Sequence, residues 1–444
     1  MLRGFVLSSC LALVACGAEP SSSGATPIGS TRASAPEAQS AASATPPASG
    51  GAAHGAPNSV STVEPALSNA PLEPFQAELL GIAFDAASAQ PAQPHLKSRS
   101  LAQEKVVATC LELKQTQSAS VLADKIDNWR RGSAYADLAL HCLESGDRGP
   151  HIQRFLDLAL AEAEAPESEI GQSWRRDRIK AKIAQAKLVL GETELAAMYS
   201  QGLEPAEAGR VAAFESGLMP EERFEGLLSV LDHGVQAGNF DVTLYALETV
   251  KQLYRRFYAD AERRELLEQK LESYWKKAPF ALRIDALLAF AETSLDHGDT
   301  ERGRATLNRT LETAAQAVWR AADYAPVMSR AAKNFHRLGD SSSAARCLSD
   351  AFEKYESERE QIWNFERATV LRPLAEGQAA VGDRSGALAT YRRAIEEGAE
   401  NPNARPRAED LAATCCSMAR AAVEPDAELF ARIREIRTGL VDPW

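Results

Sequence analysis

The sequence predicts an all-α protein, an α-solenoid of helical hairpins that follows a disordered N-terminal tether. Three observations carry this prediction. From Glu73 onward, apolar residues recur every three or four positions, and the breaks between these runs are short turns such as Gly-Asp and Asn-Pro. The turn glycines Gly146 and Gly191 stand 45 residues apart, and a Trp-Arg-Arg triplet lies 17 residues before each. From Gly17 to Leu72 the chain contains few bulky apolar residues.

The chain begins with a segment typical of secretion signals. Arg3 precedes an apolar run, Phe5 to Val14, that is too short to span a bilayer. The run leads into Leu13-Val14-Ala15-Cys16, which resembles the lipobox of bacterial lipoproteins. The resemblance implies that residues 1–15 are a lipoprotein signal peptide and that Cys16 carries the acyl chains that hold the protein on a membrane. The alternative is an ordinary signal peptide that happens to contain a cysteine.

Residues 16–72 form the predicted tether. From Gly17 to Leu72 the chain consists mostly of Ala, Ser, Pro and Gly, and it contains no aromatic residue. Such a segment cannot bury enough apolar surface to offset the entropy lost on ordering. The repeat domain is therefore predicted to span residues 73–444.

The predicted hairpins share a fixed order of residues around a turn glycine. The glycine can adopt the left-handed conformation that ends a first helix, and the Asp that often follows it can cap the second helix. Small residues seven before and five after the glycine let the helices approach closely, and the position nine after it usually holds a larger residue. These glycines are Gly146, Gly191, Gly238, Gly298, Gly339 and Gly382. The longest gap, between Gly238 and Gly298, is predicted to hold an additional helix over 261–276.

This pattern resembles the tetratricopeptide repeat (TPR), a helix–turn–helix unit that stacks into a right-handed superhelix. The match is good over Ala332–Ala351 and Ala375–Ala394, and looser around the first three glycines. It covers about residues 129–398 and implies a TPR-like solenoid with longer helices, because the period exceeds the usual length of roughly 34 residues. The final helix, predicted over 425–438, would then cap the solenoid. The alternative is an irregular helical bundle with chance glycines.

The net charge of the chain excludes one class of partner. The net charge of −12 argues against nucleic acid as the main partner.

Free thiols buried between helices are expected for the cysteines of the repeat domain, and a disulfide framework or a strained Cys415–Cys416 bond are the alternatives. These cysteines are Cys110, Cys142, Cys347, Cys415 and Cys416. The sequence contains no glycine-rich phosphate loop and no established metal-binding or hydrolase motif, so neither a cofactor nor a metal is expected.

Basic residues of the first helices supply a candidate binding surface. In TPR proteins, first-helix residues that avoid the contacts between helices line the concave groove. Carried over residue by residue, the resemblance places in this groove Arg178 and Lys182, then Arg330, Lys333 and Arg337, and finally Arg372. A basic stripe in an acidic protein suits an acidic segment of a partner. The alternative is a solvated face whose charges pair with neighbouring Glu and Asp.

The sequence favours a membrane-anchored lipoprotein that acts as a non-catalytic scaffold for protein–protein interaction, with other envelope proteins as partners. Gly17-Ala18 lacks the Asp that marks inner-membrane retention in enterobacterial lipoproteins. The resemblance therefore implies an outer-membrane lipoprotein, and it leaves open whether the protein faces the periplasm or the cell surface.

Two other functions compete with this interpretation. A helical ligand-binding lipoprotein of the nutrient-uptake type is one, although such proteins have long aromatic-rich loops and this chain has 7% aromatic residues and short turns. A cell-wall-acting enzyme is the other, because Glu215-Ser216 and Gly217-Leu218-Met219 resemble two elements of soluble lytic transglycosylases. In that family the two elements lie far apart, and here they are fused. A short helix that ends at Gly217 is the better explanation.

Overall fold

A computed structural model describes residues 67–166, 171–238, 240–276 and 278–444, and this part of the chain is helical. It contains 19 α-helices and two short 3₁₀ segments, Glu221–Arg223 and Arg359–Gln361. The α-helices are α1 (Pro74–Ala89), α2 (Ala92–Glu112), α3 (Thr116–Ala123), α4 (Arg130–Glu144), α5 (His151–Ala163), α6 (Ser173–Val189), α7 (Thr193–Ser200), α8 (Pro205–Ser216), α9 (Phe224–Gln236), α10 (Phe240–Arg256), α11 (Ala261–Trp275), α12 (Phe280–Asp296), α13 (Thr300–Ala314), α14 (Ala321–Arg337), α15 (Ser341–Glu358), α16 (Asn364–Ala380), α17 (Arg384–Ala399), α18 (Ala404–Ala421) and α19 (Ala427–Thr438). The predicted all-α class is confirmed.

The helix ends confirm the turn chemistry expected from the sequence. Gly339 and Gly382 have φ angles of 72° and 92°, a left-handed conformation that glycine adopts without strain. The Asp after each glycine caps the next helix, because its carboxylate accepts a hydrogen bond from a backbone N–H three residues on. The distances are 3.0 Å from Ser343 N to Asp340 and 2.9 Å from Gly386 N to Asp383.

The helices pack in two layers. Each even-numbered helix contacts the even-numbered helices before and after it, and the odd-numbered helices pack mainly on even-numbered ones. Small residues permit this close approach, as the sequence pattern predicts. The residues seven positions before the turn glycines include five fully buried alanines, Ala139, Ala184, Ala291, Ala332 and Ala375.

The two ends of the repeat domain pack on each other. α18 contacts both α1 and α2, so the series of even helices runs from α2 to α18 and returns to α2. Gln76 Nε2 on α1 donates a hydrogen bond of 2.7 Å to the Ala419 carbonyl oxygen on α18. One hydrophobic cluster includes Leu79 of α1 and Leu411 of α18. The helical part of the chain is therefore a closed ring. Its even-numbered helices pack side by side around the ring, and because the inner circumference of a ring is shorter than the outer one, they form the inner layer.

We call the junction of α1 and α2 with α18 and α19 the seam. The TPR resemblance implies an open superhelix with a cap at its end, and the structure does contain the predicted last helix, α19. Its role as a cap is wrong, because α19 packs on both α18 and α1. Leu429 and Ile433 of α19 are fully buried in the same cluster as Leu79. An open solenoid needs a polar outer face at each end, whereas here each end buries the other.

One of the six glycine turns connects the layers in the opposite order. At the other five turns an inner helix precedes the glycine, but at Gly238 the outer helix α9 precedes it and the inner helix α10 follows. The assignment of Gly238 to the same kind of hairpin is wrong in this respect. The additional helix predicted over 261–276 is confirmed as α11, which packs on α10.

The described residues begin inside the segment predicted as a tether. Asn69 Oδ1 accepts hydrogen bonds from the backbone N–H groups of Gln117 (3.0 Å) and Ser118 (3.2 Å), in the first turn of α3. The Ala70 carbonyl oxygen accepts one from Gln115 Nε2 at 2.8 Å. Residues 69 and 70 are thus held on the repeat domain. Residues 1–66, with the predicted signal peptide and most of the predicted tether, lie outside the described residues.

Candidate functional site

The candidate surface is the side of the inner helices that the outer layer leaves uncovered. On α14, Arg330, Lys333 and Arg337 follow one another at spacings of three and four residues, and they lie opposite the buried Ala332 and Phe335. Since the outer helices cover that buried side, the three basic residues share the face that lines the inside of the ring. We call these three residues the α14 stripe.

Arg330 is held by two acidic residues of α12, the preceding inner helix. Its Nε and Nη2 donate to the two carboxylate oxygens of Glu292, each at 2.6 Å, and its Nη1 donates to Asp285 at 2.7 Å. Burial raises the pKa of Glu292, but the hydrogen bonds and charge of Arg330 lower it by more, so it lies below the ordinary value. Asp285 also accepts a hydrogen bond of 2.7 Å from Lys251 of α10. The Arg330 guanidinium is therefore fixed in a network across three inner helices.

The other two residues of the α14 stripe are more accessible. Arg337 forms an ion pair of 2.6 Å with Asp296 of α12, in which 34% of the arginine side chain and 61% of the aspartate side chain are exposed. An ion pair at such exposure contributes little stability, so a carboxylate from a partner could replace it. Lys333 is exposed. The accessible positive charge of the stripe thus lies at Lys333 and Arg337.

On α6, Lys182 connects the helix to α4, and the charge of Arg178 affects a carboxyl group of α2. Lys182 Nζ donates to Asp137 Oδ2 and to Ser133 Oγ on α4, each at 2.7 Å. Burial raises the pKa of Glu104 on α2, but the charges of Lys182, Arg130 and Arg178 lower it below its ordinary value. The positive charges of both predicted residues of α6 therefore interact with carboxylates of this protein.

On α16, Arg372 forms a largely buried ion pair with α18. Its Nη1 donates to Asp410 Oδ1 at 2.9 Å, and the two side chains are 14% and 8% exposed. Burial raises the pKa of Asp410, and the charge of Arg372 offsets only part of this effect. Arg420 of α18 pairs with Glu376 of α16 at 2.9 Å and with Glu112 of α2 at 3.6 Å. Ion pairs between inner helices thus continue across the seam.

Acidic residues of neighbouring inner helices therefore surround most of the predicted basic groove. Their separations in sequence are close to one repeat: 38 residues between Arg330 and Glu292, and 45 between Lys182 and Asp137. Sequence reasoning missed these carboxylates because it considered each helix by itself. The repeat spacing was the available signal, since residues one repeat apart occupy adjacent helices. A partner-binding role for the six basic residues stays a prediction.

The five cysteines of the repeat domain are buried and unpaired, as expected. Burial raises the pKa of Cys110 to about 12 and that of Cys347 to about 11. Both groups are therefore protonated thiols at neutral pH and weak nucleophiles. Cys415 and Cys416 do not form the alternative vicinal disulfide. Cys16, the predicted lipidation site, lies outside the described residues.

The structure also groups three residues that sequence reasoning did not connect. Cys142 lies in the last turn of α4, Asp147 lies in the following turn, and His151 begins α5. One ligand-type atom of each lies within 4.8 Å of the others, and no other such group occurs in the part of the chain that the structure describes. The spacing Cys-x₄-Asp-x₃-His is not an established metal-binding pattern, so a motif search passes over it.

The segment that resembles transglycosylase elements is a helix end, as expected. α8 ends at Ser216, and Gly217 is its C-cap residue. Ser216 is buried and its hydroxyl donates to the Ala213 carbonyl oxygen at 2.5 Å, whereas Glu215 is exposed. The short-helix explanation is confirmed.

A cavity of about 380 Å³ lies between α5, α6 and α7. α7 has 8 residues, and so short an outer helix leaves part of α6 uncovered. The lining is mixed, with Leu156, Leu160, Ile183, Leu195 and Tyr199 beside polar groups such as Lys187. None of the predicted site residues lines this cavity.

None of the described helices is both long enough and apolar enough to cross a membrane. No protein-family model matches the chain, and no curated protein matches it. Among solved structures, a circular tandem repeat protein with novel repeat topology and enhanced subunit contact surfaces is similar, at 15% sequence identity and a TM-score of 0.27, over 82% of this chain and 94% of that one. By the contacts between its own helices, this chain is a helical tandem-repeat scaffold.

Proposed function

We propose that this protein is a non-catalytic scaffold of the bacterial cell envelope, anchored to a membrane through lipid on Cys16, which holds another envelope protein against the inner face of its ring. The binding part of the proposal rests on the α14 stripe. The anchoring part rests on the resemblance of Leu13-Val14-Ala15-Cys16 to a lipobox.

The α14 stripe favours an acidic segment of the partner. Arg330 is immobilised by Glu292 and Asp285, so it holds α14 against α12 and keeps the stripe in place. Lys333 is exposed and Arg337 has an exposed ion-pair partner, so both are available to carboxylates of another protein. Charges of this kind raise the association rate and select among partners more than they add affinity. The partner contact is therefore local to α14.

Capture from envelope extracts tests the binding part. Lys333→Glu should weaken capture of a specific partner several-fold and make the remaining capture less sensitive to salt, because steering by opposite charge is lost. Arg346→Glu is the matched control, since Arg346 is an exposed residue of the outer helix α15 and the charge change is the same. A change at Arg330 is avoided, because it would also break the network with Glu292. Capture that is equal in all three proteins would overturn the binding part.

Metabolic labelling with a fatty acid tests the anchoring part. Cys16→Ala should abolish the label and release the protein from the membrane fraction. Cys10→Ala is the control, because Cys10 precedes the expected cleavage point and should not affect the label. A label of equal strength on the Cys16 variant and the unmodified protein would contradict lipid attachment at Cys16.

A further inference from the structure

The turn between α4 and α5 folds three ligand-type side chains together. Asp147 N donates to the Cys142 carbonyl oxygen at 2.9 Å, and Gly146 N donates to the Leu143 carbonyl oxygen at 3.1 Å. With Gly146 at a φ of 86°, these are the hydrogen bonds of a Schellman motif, which turns the chain back over the helix end. His151 then occupies the first position of α5. The motif therefore brings residues 142, 147 and 151 to one place.

His151 is a buried ring whose nitrogens lack hydrogen bonds. The residue is 9% exposed, and neither ring nitrogen has a hydrogen-bond partner. Its Nε2 lies 2.9 Å from Asp147 Oδ2, although the pair does not meet hydrogen-bond geometry. Two ligands of one tetrahedral zinc ion, each about 2.05 Å from the metal, lie roughly 3.3 Å apart. The nitrogen and the oxygen are thus spaced much like two ligands of a common ion.

The surroundings of His151 restrict its movement. A Cβ atom on Gly149 would lie 2.5 Å from the His151 ring, so glycine leaves just enough room for the imidazole. Asp147 is also positioned, because its Oδ1 accepts a hydrogen bond of 2.7 Å from Gly149 N, which leaves Oδ2 for the site. The Asp147 side chain is 41% exposed, so an ion can enter from solvent.

Cys142 supplies the third group. It is 3% exposed, and burial together with the nearby Asp147 charge raises the pKa of its thiol to about 12. A divalent cation bound beside both groups would reverse this effect, because the metal stabilises the thiolate as its ligand. On binding, a metal–sulfur bond forms and the thiol proton leaves to solvent.

We infer that Cys142, Asp147 and His151 bind one zinc ion and that water completes its coordination. Thiolate and imidazole ligands favour zinc, whereas magnesium and calcium prefer oxygen ligands alone. Three protein ligands leave one position of the tetrahedron open. The ion would tie the end of the inner helix α4 to the start of the outer helix α5. The site uses none of the residues of the proposed partner-binding stripe.

Titration of the reduced, metal-free full chain with Co²⁺ tests this site. We expect one equivalent to bind, with a thiolate-to-cobalt charge-transfer band in the near ultraviolet and displacement by Zn²⁺. Cys142→Ser should remove the band. Asp147→Asn keeps the oxygen that accepts from Gly149 N but removes the negative ligand, so it should weaken binding by about tenfold or more. Cys347→Ser, which removes another buried thiol, should change neither the band nor the affinity.

Two results would overturn the inference. One is the lack of a charge-transfer band in the unmodified protein, or a band of full strength in the Cys142→Ser variant. The other is equal Co²⁺ and Zn²⁺ affinity in the unmodified protein and in Asp147→Asn. Circular dichroism verifies folding of each variant. Should Cys142→Ser fail to fold, the partly exposed Asp147 provides the deciding comparison.

Discussion

Replacing Leu79 by alanine should loosen the ring at both ends of the chain. Leu79 is fully buried on α1, three residues after Gln76, whose side chain donates to the Ala419 carbonyl oxygen on α18. Residues three apart share a helix face, so Leu79 belongs to the side that packs on α18. A buried Leu→Ala change costs about 2–5 kcal/mol, because the surrounding structure fills the cavity only partly. At the lower limit of about 2 kcal/mol, the population of the opened seam rises roughly 30-fold.

Hydrogen exchange measured by mass spectrometry locates this effect. Amides of α18 and α19 should exchange faster by roughly the same 30-fold factor, although these helices lie at the other end of the sequence. Leu267→Ala is the matched control, because Leu267 of α11 is also fully buried. Loss of the Leu267 side chain should accelerate amide exchange in α10 to α12 and leave amide exchange at the seam unchanged. Unchanged exchange in α18 and α19 of the Leu79 variant would refute the closed ring.

Two further predictions concern single residues. Asn69→Ala should lower the free energy of unfolding by about 0.5–2 kcal/mol, because Asn69 Oδ1 caps the first turn of α3. Asn69→Asp, which keeps the acceptor, is the control in chemical denaturation, and an alanine variant as stable as the unmodified protein would contradict the capping role. Arg330→Gln should cost about 3 kcal/mol at neutral pH, because it leaves Glu292 without its counter-charge and Asp285 with Lys251 as its remaining partner. The folded-state pKa of Glu292 lies below its ordinary value of 4.5, so this stabilisation is complete above that pH and is lost as the pH falls through the folded-state pKa. Denaturation should therefore show a smaller difference between Arg330→Gln and the unmodified protein at pH 3 than at pH 7, and a difference that is independent of pH would contradict the assignment.

Several features of this molecule were predictable because their causes are local. Gly339 ends α14 and Asp340 caps α15 through interactions within a few residues, so both were visible in the sequence. The placement of Arg330, Lys333 and Arg337 on one helix face follows from their spacing alone. The free state of Cys110, Cys142 and Cys347 was expected from their wide spacing along the chain.

Other features depend on contacts that no local pattern encodes. The carboxylates that hold Arg330 lie on the neighbouring inner helix, and the cap of α3 comes from Asn69, a residue of the predicted tether. The Cys142, Asp147 and His151 group needs the return of the chain at Gly146 as well as the burial of His151.

Closure of the ring is another feature that depends on contacts between distant parts of the chain. The periodicity of apolar residues and turn glycines specifies each hairpin and its contact with the next one. Whether a series of hairpins remains open or closes depends on the small rotation that each hairpin adds, which sums over the whole chain. Side-chain volumes at every interface determine that sum, so only the tertiary structure shows that α18 returns to α1 and α2.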